Sequence, residues 1–61
     1  MLKVALATIE KANKKAIENG RKQAVVEMDR HEGRKIYIVD ADYLDSDEFE
    51  AFDGYVVYIT E

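Results

Sequence analysis

The sequence predicts a small α+β domain in which an N-terminal amphipathic helix packs on a three-stranded, mostly antiparallel sheet. An apolar stripe with the period of an α-helix runs through residues 2–19. Residues 22–30 and 34–39 alternate as strands do, and residues 55–60 are rich in β-branched and aromatic side chains. A short helix before the last strand completes the order α-β-β-α-β.

Length and composition restrict the protein to a single domain, residues 1–61, with a small core. A chain this short buries only about 60% of its unfolded surface, so its stability depends on few contacts. Cysteine is absent, which excludes disulfides and thiolate metal sites. The N-terminus has no signal-peptide pattern, and no run approaches the roughly 18 apolar residues of a membrane span. We therefore expect a cytoplasmic protein that does not bind membranes.

The first helix carries a face of small and aliphatic residues, opposite a face of mixed charge. Asn19 and Gly20 mark its end, because glycine readily adopts the left-handed conformation that follows a last helical turn. The alanines on the apolar face allow close approach to a sheet. The residues predicted to face the sheet are Leu2, Ala5, Leu6, Ile9, Ala12, Asn13, Ala16 and Ile17.

The first two strands form a predicted hairpin around residues 31–33. A three-residue loop with Gly33 left-handed pairs Val26 with Ile38 and Met28 with Ile36, which gathers aliphatic residues under the helix. A two-residue turn at 32–33 would pair Met28 with Tyr37 instead. We favour the three-residue loop because it joins two aliphatic faces.

The second helix is predicted from its capping signal. Asp45 is a candidate N-cap with Glu48 at the capping-box spacing, and Ser46 is the alternative cap. Phe49 and Phe52 lie three residues apart, on one face of this helix. We favour the interpretation in which both rings pack in the core of the domain, and the alternative is that they join Tyr43 as anchors in a partner interface.

The second face of the sheet is predicted to be apolar. Such a face is typical of an interface, so we expect a homo-oligomer, a dimer, formed through this face or through the edge of the last strand. The alternative is that the short second helix folds back over it. The predicted interface residues are Val25, Tyr37, Val39, Val56 and Tyr58.

Charge is divided unequally along the chain. Nine bases and five acids give residues 1–35 a net charge of +4, and eight acids without a base give residues 36–61 a charge of −8. Seven of those acids fall in residues 40–53, which we call the acidic segment. A dense run of carboxylates attracts a cationic surface and steers its approach.

No pattern in the sequence indicates catalysis or a cofactor. His31 and Ser46 are the single histidine and serine, and they lie far apart without an obvious orienting acid. The oxygen-rich run from Asp40 to Asp47 lacks the glycine and terminal glutamate of a calcium-binding loop. We predict neither a metal site nor an enzyme, and the negative charge disfavours direct binding of nucleic acid.

The remaining interpretation is a non-enzymatic interaction module that docks on a basic protein surface. In size, acidity and lack of catalytic groups, the chain resembles small phage inhibitors that plug nucleic-acid-binding sites, which implies an inhibitor mimicking a phosphate backbone. The alternatives are a structural or regulatory homo-oligomer, or a binder of a small ligand or divalent ion at the carboxylates. Tyr43 is the expected outward anchor. The predicted partner-binding residues are Asp40, Asp42, Tyr43, Asp45, Asp47, Glu48, Glu50 and Asp53.

Overall fold

The computed structural model describes residues 4–61 and confirms the predicted α+β class and order of elements. One 3-10 helix was not predicted, and Leu2 of the predicted stripe lies outside the described residues. The longest helix, α1, has 14 residues, and none in the described range is long and apolar enough to cross a membrane. The elements are α1 (Leu6–Asn19), β1 (Gln23–Arg30), β2 (Gly33–Asp40), the 3-10 helix (Ala41–Asp45), α2 (Asp47–Ala51) and β3 (Tyr55–Ile59).

The three strands form one antiparallel sheet in the order β2-β1-β3, so β1 is central. Hydrogen bonds outside the strands extend the pairing of β1 with the last segment of the chain. Thr60 N–H donates to the Gln23 carbonyl at 2.9 Å, and Gln23 N–H donates to the Thr60 hydroxyl at 2.8 Å. Gln23 and Thr60 are buried, so these bonds replace water at the end of the sheet.

The hairpin register differs from the prediction by one residue. Arg30 pairs with Gly33 across the two-residue loop 31–32, and Val26 pairs with Tyr37. Gly33 does adopt a positive φ of 101°, but as the first residue of β2. A one-residue slip turns every side chain of β2 to the opposite face relative to β1. The aromatic Tyr37, and not the aliphatic Ile38, therefore lies beside Val26.

The two faces of β1 are covered by different elements. Ala24, Val26 and Met28 form a buried cluster on one face, where the segment between β2 and β3 packs on them. On the other face, Val25 is fully buried beneath α1. The alternative of a second helix that folds back over the sheet is thus what the structure shows. The side chains packed on the cluster are Tyr37, Val39, Tyr43, Leu44, Phe49 and Phe52.

Within residues 4–61, the sheet has no open apolar face of the kind that the sequence predicted. Val25 and Tyr58 point toward α1, and the Tyr58 hydroxyl donates to Asn13 Oδ1 at 3.2 Å. Tyr37 and Val39 lie on the opposite face, within the packed cluster, and Val56 is partly exposed there. The five predicted interface residues therefore do not form one surface, because the register divides them. Self-association itself stays a prediction.

The orientation of α1 also differs from the prediction. Ala12 is fully buried, whereas Leu6 and Ile17, which were expected to face the sheet, are 69% and 83% exposed. The bond between Asn13 and Tyr58 and the close approach of Ala12 explain this roll, since both bring the alanine stripe onto the sheet. Gly20 ends α1 as predicted, with φ 64° and its N–H donating to the Ala16 carbonyl.

An ion-pair network links all three strands. Glu27, only 2% exposed, lies on the α1 face of β1 and accepts a hydrogen bond from Arg34 Nε on β2. The same guanidinium donates to the Asp53 carbonyl at 3.0 Å, just before β3. The hydrogen bond to Glu27 raises the pKa of Arg34, which keeps the guanidinium charged. Arg34 therefore connects β2 with the central strand and with Asp53, two residues before β3.

We predict that Val26→Ala lowers the free energy of unfolding by about 2–3 kcal/mol. Two buried carbons are worth about 0.8 kcal/mol each, and the cavity adds to this loss. Val56→Ala is the matched control, because Val56 pairs with Val26 but is 37% exposed. Urea denaturation measures both, and equal losses would contradict the burial described.

We predict that Arg34→Met shifts the urea midpoint much further than Lys35→Met. Arg34 serves the buried Glu27, whereas Lys35 pairs with Glu32 on the surface at 3.1 Å. An exposed pair of this kind contributes about 0.5 kcal/mol or less. Similar midpoints for the two variants would show that the network does not stabilise the fold.

Candidate docking face

The acidic segment is a layer built from the 3-10 helix and α2. Ser46 separates the two helices and confirms the alternative capping prediction: its hydroxyl accepts from Phe49 N–H at 3.2 Å. It also donates to the Tyr43 carbonyl at 2.6 Å. The first turn of α2 is acidic, which suits the positive end of the helix dipole. Local capping thus fixes the path of the segment.

The inner side of this layer is aromatic. Phe49 and Phe52 pack on the buried cluster of β1, as predicted. The ring of Phe49 also lies against Gly54, where any Cβ would overlap it, so glycine is required at that position. The guanidinium of Arg30 lies 5.0 Å from the Phe52 ring centroid and 5.5 Å from that of Tyr37. With its rings turned inward, the layer leaves its carboxylates on the outside.

The carboxylates at the two ends of the segment are held by the domain. Asp40 accepts from Gln23 Nε2 at 2.7 Å and lies 3.9 Å from Arg21. Asp53 lies 3.5 Å from Arg34, although its side chain is 91% exposed. These contacts anchor the layer to the sheet at both ends.

The five acids between those ends are exposed and form no ion pair with a lysine or arginine in residues 4–61. They do not fold back onto the lysines of α1, which packs on the opposite face of the sheet. The result is an outer surface of uncompensated negative charge, which we call the acidic face. It consists of Asp42, Asp45, Asp47, Glu48 and Glu50.

Tyr43 is not the outward anchor that the sequence suggested. Its ring packs on the buried cluster and meets Phe49 edge to face, with centroids 6.2 Å apart. Its hydroxyl donates to Glu48 Oε1 at 2.6 Å. That hydrogen bond, followed by desolvation and the charge of Glu48, raises the pKa of Tyr43. Tyr43 therefore orients a carboxylate of the acidic face and supports the layer from beneath.

Ser46 and His31, the single serine and histidine, lie in different parts of the fold. The Ser46 hydroxyl is used in the cap between the two helices, and His31 is exposed in the hairpin loop. Within residues 4–61, no three histidine or carboxylate side chains are grouped so that they could hold a metal ion.

Comparison of the chain with family models, curated proteins and solved structures finds no match.

Sequence analysis missed the network of Glu27, Arg34 and Asp53. The signal was available: Glu27 interrupts a strand whose neighbouring residues are apolar on both alternations, and a carboxylate in such a position needs a cation nearby. The cation–π contacts of Arg30 could not be read from the sequence, because they depend on the position of the Phe52 ring in the folded chain.

We predict that Glu48→Gln lowers the pKa of Tyr43 toward its ordinary value. The carboxylate accepts a hydrogen bond from the phenol hydroxyl and its negative charge opposes formation of tyrosinate, whereas glutamine carries no charge. NMR titration of the Tyr43 ring measures the change. Glu50→Gln, which removes a neighbouring charge of the same layer, is the control and leaves the titration nearly unchanged. An unaltered pKa in Glu48→Gln would contradict the hydrogen bond.

Proposed function

We propose that this protein is a non-enzymatic interaction module that docks its acidic face on the basic surface of a partner protein. The supporting observation is the set of five carboxylates on the outer side of one layer, none of which forms an ion pair with a cation in residues 4–61. Uncompensated charge of this kind increases the association rate with a cationic surface. A basic groove that binds nucleic acid is the partner surface with the matching chemistry, and occupying it would inhibit the partner.

The layer is suited to this role because its shape does not depend on the partner. Capping by Ser46, the inward rings and the anchors at Asp40 and Asp53 hold the carboxylates in place before binding. A surface that is already ordered loses little conformational entropy on association. The whole acidic segment then acts as one unit, in which Asp40, Tyr43 and Asp53 position the five exposed carboxylates.

We predict that a triple variant, Asp45, Asp47 and Glu50 each changed to Lys, keeps the fold and loses partner binding. The matched control reverses Glu18, Asp29 and Glu32, three exposed acids outside the segment, and changes the net charge by the same amount. Immobilised wild-type protein and both variants are used to capture basic proteins from a lysate of the source organism.

The captured partner is then bound to a labelled oligonucleotide, and displacement is measured as a function of salt. Wild type and control are expected to displace the oligonucleotide with an affinity that falls steeply as ionic strength rises. Equal displacement by the acidic-face triple variant would refute the proposal, as would binding that does not depend on salt.

We also propose that the chain forms a homodimer. The support is that the large exposed apolar residues among residues 4–61 belong to α1 and β3, and none to the acidic segment. Single exposed apolar residues are ordinary on protein surfaces, but a group on one side indicates an interface. Because both sheet faces are covered, this contact has to involve another part of the surface.

A further inference from the structure

The exposed apolar residues of α1 lie on the side of the helix that faces β3. Leu6 and Ile17 are eleven residues apart, close to three full turns, so they project in nearly the same direction. Ile17 lines a groove of about 470 Å³ with Asn13, Tyr58 and Thr60, which fixes that direction as the β3 side. Tyr55, Val56 and Ile59, the other large exposed apolar residues, belong to β3 itself.

The two edges of the sheet differ in charge. β2 carries Arg34 and Lys35, and charged side chains commonly protect an edge strand from pairing. β3 has no charged residue from Tyr55 to Ile59. β3 is therefore the edge that lacks this protection.

Open backbone groups lie at the β3 edge. Thr60 and Gln23 form a hydrogen-bonded pair across β3 and β1. In an antiparallel ladder, the next pair, Ile59 and Ala24, is of the non-bonded type, so the N–H and carbonyl of Ile59 point away from β1. A second strand alongside β3 would satisfy these groups.

The geometry points to a second copy of this chain, related by a two-fold axis beside the middle of β3. Asn13 is tied to Tyr58, and the C-terminal end of α1 lies near Thr60, so α1 and β3 run in the same direction. The point midway between Leu6 and Ile17 is about 2 Å along the helix from Asn13. This midpoint therefore lies level with the centre of β3. A single two-fold axis can thus relate α1 to α1 and β3 to β3 of the second copy.

This axis makes the surface self-complementary. It brings Leu6 of one copy level with Ile17 of the other, on antiparallel helices flanking the paired β3 strands. Glu10 and Lys14 lie on the same side of α1, beyond the apolar pair. Helix rise places Glu10 of one copy within about 2 Å, along the axis, of the level of Lys14 in the second copy. Opposite charges thus border the apolar contact on both sides of the axis.

This inference rests on the proposed homodimer and names its surface. Sedimentation equilibrium compares the wild type with Ile17→Lys and with Ala7→Lys, which adds the same charge at another exposed position of α1. Ile17→Lys is expected to weaken dimerisation at least about tenfold, because its ammonium must stay hydrated. Ala7→Lys is expected to dimerise as the wild type does.

The two-fold arrangement has its own test. Glu10→Lys is expected to weaken the dimer, and the double variant Glu10→Lys with Lys14→Glu is expected to restore it, since the pair is exchanged across the axis. Hydrogen exchange at the Ile59 amide is expected to slow with protein concentration in the wild type and not in Ile17→Lys. Circular dichroism checks that each variant keeps its helix content.

The outcomes separate the two proposals. A wild-type protein that stays monomeric at millimolar concentration overturns the homodimer and this surface together. Two results overturn this surface and leave the homodimer standing. One is a dimer that is equally stable with Ile17→Lys. The other is a double variant, Glu10→Lys with Lys14→Glu, whose dimer is as weak as that of Glu10→Lys alone. The triple reversal of the acidic face is expected to leave the dimer intact, because its three residues belong to the 3-10 helix and α2 and not to α1 or β3.

Discussion

Burial of β1 on both faces is the constraint on which the rest of this small domain depends. Every residue from Gln23 to Met28 is buried, so the central strand needs a cover above and below and a paired strand on each side. In 61 residues there is one helix for the first face and only the acidic segment for the second. The inner side of the segment therefore completes the core, and its outer side forms part of the surface.

That double use explains the distribution of charge. The segment must turn rings toward Val26 and Met28, so its carboxylates can only lie on the outside. The lysines of α1 are separated from them by the full thickness of the sheet. Asp40 and Asp53, at the two ends, are the members that meet arginines. The opposite signs of the two sides follow from packing, and the proposed docking function uses a charge separation that folding imposes.

The elements and their order could be predicted from sequence because each has a strong local signal, such as Gly20 after α1. The face of the sheet or helix on which each side chain lies could not be predicted. Ala24, Val25 and Val26 are apolar on both alternations, so matching the aliphatic faces selected a hairpin register that the structure does not have. The roll of α1 depends on the bond from Tyr58 to Asn13, 45 residues away. The exposure of the acids was predictable from their density, whereas the inward turn of Tyr43 depends on the unpredicted 3-10 helix.

The two-residue loop between β1 and β2 has a consequence for how the chain folds. Closing such a short loop costs little chain entropy, so the ladder that starts at Arg30 and Gly33 can form early, within microseconds for an isolated hairpin. β3 lies at the far end of the chain and pairs with β1 after the intervening segment has folded. Nucleation at the hairpin would leave the apolar last strand as the final piece to dock, and the transition state would then be structured mainly around residues 23–40.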